Sequence, residues 1–233
     1  MERQTVVLAT YGSSRDNNHG DLIAALKYEL SVLVLEIRES SQIDMARSHL
    51  ATMGLAHAAD VVVFIDHDML FDPLDVELLA ESARHCHGAV GAPYSQRKMG
   101  GGMVGSIDAA QHPQVTFFEG GNLYDTNGVM GMGFTAIHRD VFNKLDNLPE
   151  YAARNSDQGI IRPYFQKITV DGYWLKEDAS FCHAARRVGA PLLIDTRIRV
   201  KHLGQHAFGI EDCRPYRGDE SSPQLQLKNV SRG

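Results

Sequence analysis

Val61-Val62-Val63-Phe64-Ile65-Asp66-His67-Asp68 is the stretch from which the rest of the chain is read. Its leading residues are apolar and mostly β-branched, so they form a buried strand rather than a surface one. Two carboxylates follow without a break. Side chains alternate along an extended segment, which lets Asp66 and Asp68 point one way and His67 the other. Paired acids at the carboxyl end of a buried strand can hold a divalent cation through oxygen. That edge of an open α/β sheet is also where ligands bind. The alternative is that the acids merely end the strand and cap the next helix. Asp72-Pro73 already supplies such a cap, an acceptor followed by proline at the first helical position. Asp66 and Asp68 are thereby left for a metal and phosphate site, although Asp-x-Asp alone is a weak motif.

Upstream, residues 5–10 read as a first buried strand ending in Tyr11-Gly12-Ser13-Ser14. A small polar turn in that position lies either against a nucleotide or free on the surface. Asp21 can cap a helix whose apolar positions are Leu22, Ile23, Leu26 and Leu30. Residues 32–37 form the second strand, with Glu36 toward its end. Ile43, Ala46, Leu50 and Met53 recur at helical spacing and predict a helix over 43–59. Arg47 borders that apolar stripe, where it either pairs with an acid or phosphate or stays solvated. Downstream, a helix over 74–84 and a strand over 89–92 continue the alternation. Strands and helices in that order predict a mostly parallel central sheet flanked by helices, a Rossmann-like α/β fold.

Beyond residue 92 the pattern loosens. Ser95-Gln96-Arg97-Lys98-Met99-Gly100-Gly101-Gly102 is basic and glycine-rich. It suits either a loop that closes over an anionic substrate, extending to about residue 105, or a plain surface loop. Residues 115–118 are a poor strand. Gly128-Val129-Met130-Gly131-Met132-Gly133-Phe134 is not a dinucleotide fingerprint, but its small residues let a backbone or sugar come close. A strand over 134–137 and a short helix over 140–145 follow. Trp174 precedes a helix over 177–188 that buries Phe181, Ala185 and Val188 and stops at Gly189. Glu177 and Asp178 in its first turn suit the helix dipole. Strands over 191–195 and 197–200 lead to His202, and residues 211–233 form a polar tail.

With 233 residues and 43% hydrophobic content, one α/β domain over residues 1–210 is expected. No stretch approaches the roughly 20 apolar residues of a membrane span. Met1-Glu2-Arg3-Gln4 opens no signal-peptide core, so a cytoplasmic location is expected. The net charge of −6 argues against a protein that lives on nucleic-acid phosphates. Three widely spaced cysteines fit reduced thiols better than a disulfide framework.

A strand-one turn, Ala46-Arg47 in a helix, Asp66-His67-Asp68, the glycines before Phe134, Glu177-Asp178 opening a helix and a late His202 occur in that order. This order resembles the GT-A class of nucleotide-sugar glycosyltransferases, most of all the compact family-two-like enzymes of bacteria and phages. The resemblance covers about residues 5–206. It implies transfer of a sugar from a nucleoside-diphosphate sugar, UDP- or GDP-linked, to an acceptor hydroxyl with inversion, aided by Mn2+ or Mg2+. It makes Asp68 a direct metal ligand, with Asp66 on the ribose or a metal-bound water and His202 completing the metal set. Asp178 becomes the base and Trp174 shapes the acceptor pocket. Tyr11, Glu36 and Arg47 lie near the nucleotide, and Gly133 and Glu177 join the substrate-binding set. The chain departs from the pattern in having Ser48 after Arg47, where asparagine is common, and Tyr11-Gly12 in the first turn. Both departures bear on base recognition.

Three rivals are weighed against this. A sugar nucleotidyltransferase also surrounds a metal with paired acids, but Tyr11-Gly12-Ser13-Ser14-Arg15 is a thin match to its glycine-rich loop. A zinc hydrolase would draw on His202 and His206 with His85 or His87, without a His-Glu-x-x-His pattern. A non-catalytic nucleotide-sugar-binding protein would be expected to have lost a carboxylate, whereas Asp66, Asp68 and Asp178 are all present. The acceptor stays open among a glycan, a small molecule, a protein and modified DNA.

Overall fold

The computed structural model describes residues 5–11, 32–38, 42–108, 110–157, 159–204, 206–213 and 224–227. The helix expected after Asp21 and most of the first turn lie outside the described residues. In chain order the first elements are β1 (Thr5–Tyr11), β2 (Leu33–Arg38), α1 (Ile43–Ala56), β3 (Val61–Asp66), β4 (Met69–Leu70), α2 (Pro73–Cys86) and β5 (Ala89–Gly91). There follow β6 (Tyr94–Ser95), β7 (Met103–Val104), β8 (Gln114–Phe117), β9 (Leu123–Asp125), β10 (Phe134–His138) and α3 (Arg139–Leu145). The last third holds two short hairpins, β11 (Arg154–Ser156) with β12 (Gly159–Ile161), and β13 (Thr169–Val170) with β14 (Tyr173–Trp174). Then come α4 (Glu177–Arg187), β15 (Leu192–Asp195), β16 (Lys201–Leu203), β17 (Ala207–Phe208) and β18 (Gln224–Leu227).

Among the described residues the central sheet has seven strands in the order β2-β1-β3-β10-β5-β15-β9. β3 lies inside it, and its alternation feeds two cores. Val62 and Phe64 face α1, α3 and α4 through Leu50, Phe142 and Phe181. Val61, Val63 and Ile65 face α2 through Val76, Leu79 and Ala83. A fully buried side chain of this size contributes about 1.5–3 kcal/mol, so β3 anchors both layers.

The sheet is mixed, not mostly parallel as the alternation suggested. β2, β1 and β3 run parallel, and so do β5 and β15. β10, however, enters antiparallel between β3 and β5, and β9 pairs antiparallel with β15. The physical reason is the connection: no helix lies between β5 and β10 among the described residues. A parallel return needs a long crossover, whereas a chain that stays at one edge must come back antiparallel. Phe134 therefore starts beside Ile65, and β10 runs away from the Asp66 end.

Local chemistry sets several boundaries. Asp72 caps α2 and, with Asp75, completes a capping box ahead of Pro73. α1 stops at Ala56, short of residue 59, as Ala58 turns to a left-handed φ of 60°. Gly189 ends α4 at a φ of 66°. Residues 197–200 are not the expected strand: Arg197 folds back on Asp195 with both its N–H and its guanidinium, and Lys201–Leu203 forms the ladder instead. The polar tail contributes β18, which pairs parallel with β8. No helix among the described residues is long and apolar enough to cross a membrane.

Candidate functional site

The C-terminal ends of β1, β2 and β3 meet the start of β10 at one edge of the sheet. Thr10 pairs with Asp66, which brings Tyr11 to that edge, and Glu36 lies next along in register with Ala9. Asp66 N–H donates to the Gly133 carbonyl at 2.9 Å. α1 buries Ala46, Arg47, Ser48, Leu50 and Ala51 against the sheet, so Arg47 belongs to its packed face. Its guanidinium donates to both oxygens of Asp66 at 2.9 Å and to Glu177 Oε1 at 3.1 Å. Burial by itself would lower the arginine's pKa, but Asp66 and then Glu177 outweigh it and hold the pKa above the ordinary value. A guanidinium buried this deep would be costly unpaired, and the two carboxylates supply the compensation. The choice between a solvated and an ion-paired Arg47 falls to the ion pair.

Asp68 lies past the end of β3, in the turn to β4, and has different partners. β4 pairs with β16 so that Met69 faces His202, and Leu203 N–H donates to the Asp68 carbonyl at 2.7 Å. Asp68 and His202 are thereby brought together, with Asp68 Oδ2 3.4 Å from His202 Nε2. Asp68 is only 4% exposed, and its Oδ1 has no hydrogen-bond partner. Burial pushes its pKa up, yet the charged neighbours that face it, Arg97 among them, hold it below the usual carboxylate value.

The His202 tautomer follows from its neighbours. Nδ1 lies 3.1 Å from the Ser95 carbonyl, which can only accept, so Nδ1 carries the proton. Nε2 then presents a lone pair toward Asp68, and it accepts from Arg97 Nε at 2.8 Å. Arg97 also makes an ion pair with Asp68 Oδ2. A buried carboxylate with an unpartnered oxygen beside an unprotonated imidazole nitrogen is a donor set that fits a divalent cation. Its negative charge is met instead by a guanidinium from the loop.

That loop is a hairpin, with β6 paired to β7. It is pinned at Gly100, whose N–H donates to the Asp212 carbonyl at 2.9 Å. Gly204 makes room for it, since a Cβ there would lie 3.2 Å from Arg97 Cβ. Arg97 itself is exposed on its outer side.

Asp178 opens α4, where its Oδ1 accepts the Ala179 N–H at 2.7 Å. Glu177 beside it is the carboxylate held by Arg47. Just ahead lies the β13–β14 hairpin, turned by Asp171 and Gly172 at φ 49° and 82°. It holds Tyr173 and Trp174 at 76% and 77% exposure. Trp174 therefore stands in solvent rather than lining a walled pocket.

Tyr94 is the site residue that the sequence reading passed over. It is buried, its hydroxyl accepts the Gly133 N–H at 3.2 Å, and its ring meets the His202 ring edge-on at 5.3 Å. A Cβ on Gly131 or Gly133 would fall 2.4 or 2.8 Å from the Tyr94 oxygen, so the glycines are the space the tyrosine occupies. Burial first, and then Asp66, push its pKa far above the ordinary value. It is a neutral hydroxyl joining the Asp66 half of the site to the His202 half. The alternating glycines before Phe134 were the available signal that something large sits opposite. The zinc-hydrolase set is not assembled, because His87 lies at the other edge of the sheet from His202.

No protein-family model and no curated protein matches the sequence. Among solved structures, A197 from STIV aligns over 98% of this chain and 97% of that one, at 15% identity and a TM-score of 0.55. GalNAc-T7 with UDP, GalNAc and Mn2+ aligns over 94% of this chain but 46% of that one, at 14% identity and a TM-score of 0.47. HddC from Yersinia pseudotuberculosis aligns at a TM-score of 0.30 and 12% identity, over 79% of this chain and 99% of that one. The likeness to A197 is one of fold alone, along nearly the whole of both chains.

Proposed function

We propose that the chain is a metal-dependent glycosyltransferase. It moves a sugar from a nucleoside-diphosphate sugar, UDP- or GDP-linked, to an acceptor hydroxyl, with inversion. The observation that carries the reading is Asp68: buried, with an unpartnered Oδ1, and 3.4 Å from His202 Nε2 just past the carboxyl end of β3. Asp68 and His202 would hold Mn2+ or Mg2+, with Asp66 in reach of the same cation through water or of the ribose. A cation bound there supplies positive charge against the departing diphosphate.

The chain's own residues do the rest. Arg47 holds Asp66 and Glu177 in fixed orientation, which steadies the wall on which the nucleotide rests. Tyr11 and Glu36 at the same edge border the nucleotide. Gly133 makes room for the Tyr94 hydroxyl, which packs beside Asp66 at that edge. A carboxylate oxygen of Asp178 takes the proton from the acceptor hydroxyl as its oxygen bonds to the sugar and the diphosphate leaves. Trp174 offers an exposed aromatic face on which a glycan acceptor can stack. Arg97 pairs with Asp68; with a cation held by Asp68 and His202, its guanidinium would be available to the diphosphate oxygens.

The test is release of nucleoside diphosphate from UDP- and GDP-sugars with Mn2+ and simple sugar acceptors. Asp178→Asn is expected to slow turnover by about 100- to 10,000-fold while donor binding persists. Undiminished turnover in that variant overturns the assignment of the base.

A further inference from the structure

The opposite edge of the sheet, about 17 Å away along β3 at strand spacing, holds a second cluster of ligand-type side chains. His87 follows α2, His138 ends β10 and Asp140 lies in the first turn of α3. One donor atom from each lies within 4.8 Å of the others. Asp140 Oδ2 sits between two imidazole nitrogens, 2.8 Å from His87 Nδ1 and 3.4 Å from His138 Nδ1.

The His138 contact is informative. Its Nδ1 accepts the Asp140 backbone N–H at 3.2 Å, and a nitrogen that accepts carries no proton. A lone pair and a carboxylate oxygen therefore face each other with no proton between them. The histidine rings meet edge-on at 4.5 Å. Backbone bonds hold the cluster in place: His138 N–H donates to the Gly88 carbonyl, and Arg139 N–H to that of Asp60, at 2.9 and 2.8 Å. The nearby Arg84 charge is engaged by Asp60 at 2.8 Å.

We propose that His87, His138 and Asp140 bind a divalent cation of the zinc type, which ties the end of α2 to the β10–α3 junction. Two imidazoles and one carboxylate, with water completing the set, suit Zn2+. They suit Mg2+ poorly, since it takes oxygen ligands. The exposure of His87 leaves the site open to solvent. This site is independent of the sugar-transfer reading.

The experiment titrates the full chain with Zn2+ alone, in competition with a chromogenic chelator and by thermal melting. An Asp68→Asn background removes the other candidate site. A single equivalent of zinc and a higher melting temperature are expected. His87→Ala and Asp140→Asn should each weaken binding about 10-fold or more, with circular dichroism checking that both variants are folded. Absence of a zinc equivalent in the background chain overturns the proposal. So does wild-type affinity in both folded variants.

Discussion

The two edges of the sheet handle negative charge differently. At the Asp66 edge Asp68 is buried and Asp66 largely covered, and each is met by a guanidinium, Arg47 for Asp66 and Arg97 for Asp68. At the His138 edge Asp140 is about half exposed and is met by imidazoles. Burial explains the contrast. A charge removed from water must be compensated by the protein itself, whereas an exposed one is screened by solvent. Substitutions at the first edge should therefore cost far more than substitutions at the second.

Arg47→Met gives the sharpest contrast. It removes the cation that Asp66 and Glu177 share, and the expected loss is about 3–5 kcal/mol by urea unfolding. A loss below that of an exposed ion pair would erase the difference between the edges. Asp68→Asn should leave the fold intact and reduce sugar transfer roughly 100-fold, equal to about 2.7 kcal/mol in the barrier. Steady-state kinetics at saturating Mn2+ reads this directly. At the far edge, His138→Ala removes an N-cap acceptor of α3 and should cost about 1 kcal/mol in zinc-free buffer, with sugar transfer unchanged. The smallest effect is expected from Arg97→Ala. If its guanidinium competes with the cation for Asp68 and His202, removing it should tighten Mn2+ binding about fivefold, or about 1 kcal/mol, by electron paramagnetic resonance of free Mn2+. Weaker binding would instead make Arg97 a helper of the cation.

Much of the scaffold is legible in local sequence. The run from Val61 to Ile65 is apolar without interruption because both faces of β3 are covered. Asp72-Pro73 and Gly189 announce helix ends through chemistry that acts within a few residues. Strand direction is not encoded that way. Phe134 to Ile137 reads as a strand in either orientation, and only the connection from β5 makes it antiparallel. The site shows the same limit. Asp66-His67-Asp68 is visible as a pair of acids, but its partners are remote: Arg47 meets Glu177 across 130 positions and Arg97 meets His202 across 105. Arg47 borders an apolar stripe whether it is solvated or buried, so its ion pairs cannot be read from α1. Tyr94 carries no periodic signal at all, and its role emerges only once Gly131 and Gly133 are packed against it. The tail reads as polar, yet Gln224–Leu227 alternates polar and apolar residues and joins β8.

Thermal unfolding of the wild-type chain and of Asp68→Asn, with UDP-, GDP-, CMP- and dTDP-sugars and with or without Mn2+, bears most directly on the proposed donor site. The wild type should be stabilised by one nucleotide class only when Mn2+ is present, by about 2.7 kcal/mol at 100 times the dissociation constant, and Asp68→Asn should lose that gain. No stabilisation by any of these sugars, or an equal gain without Mn2+ or in Asp68→Asn, would contradict a metal-assisted nucleotide-sugar site at Asp68 and His202.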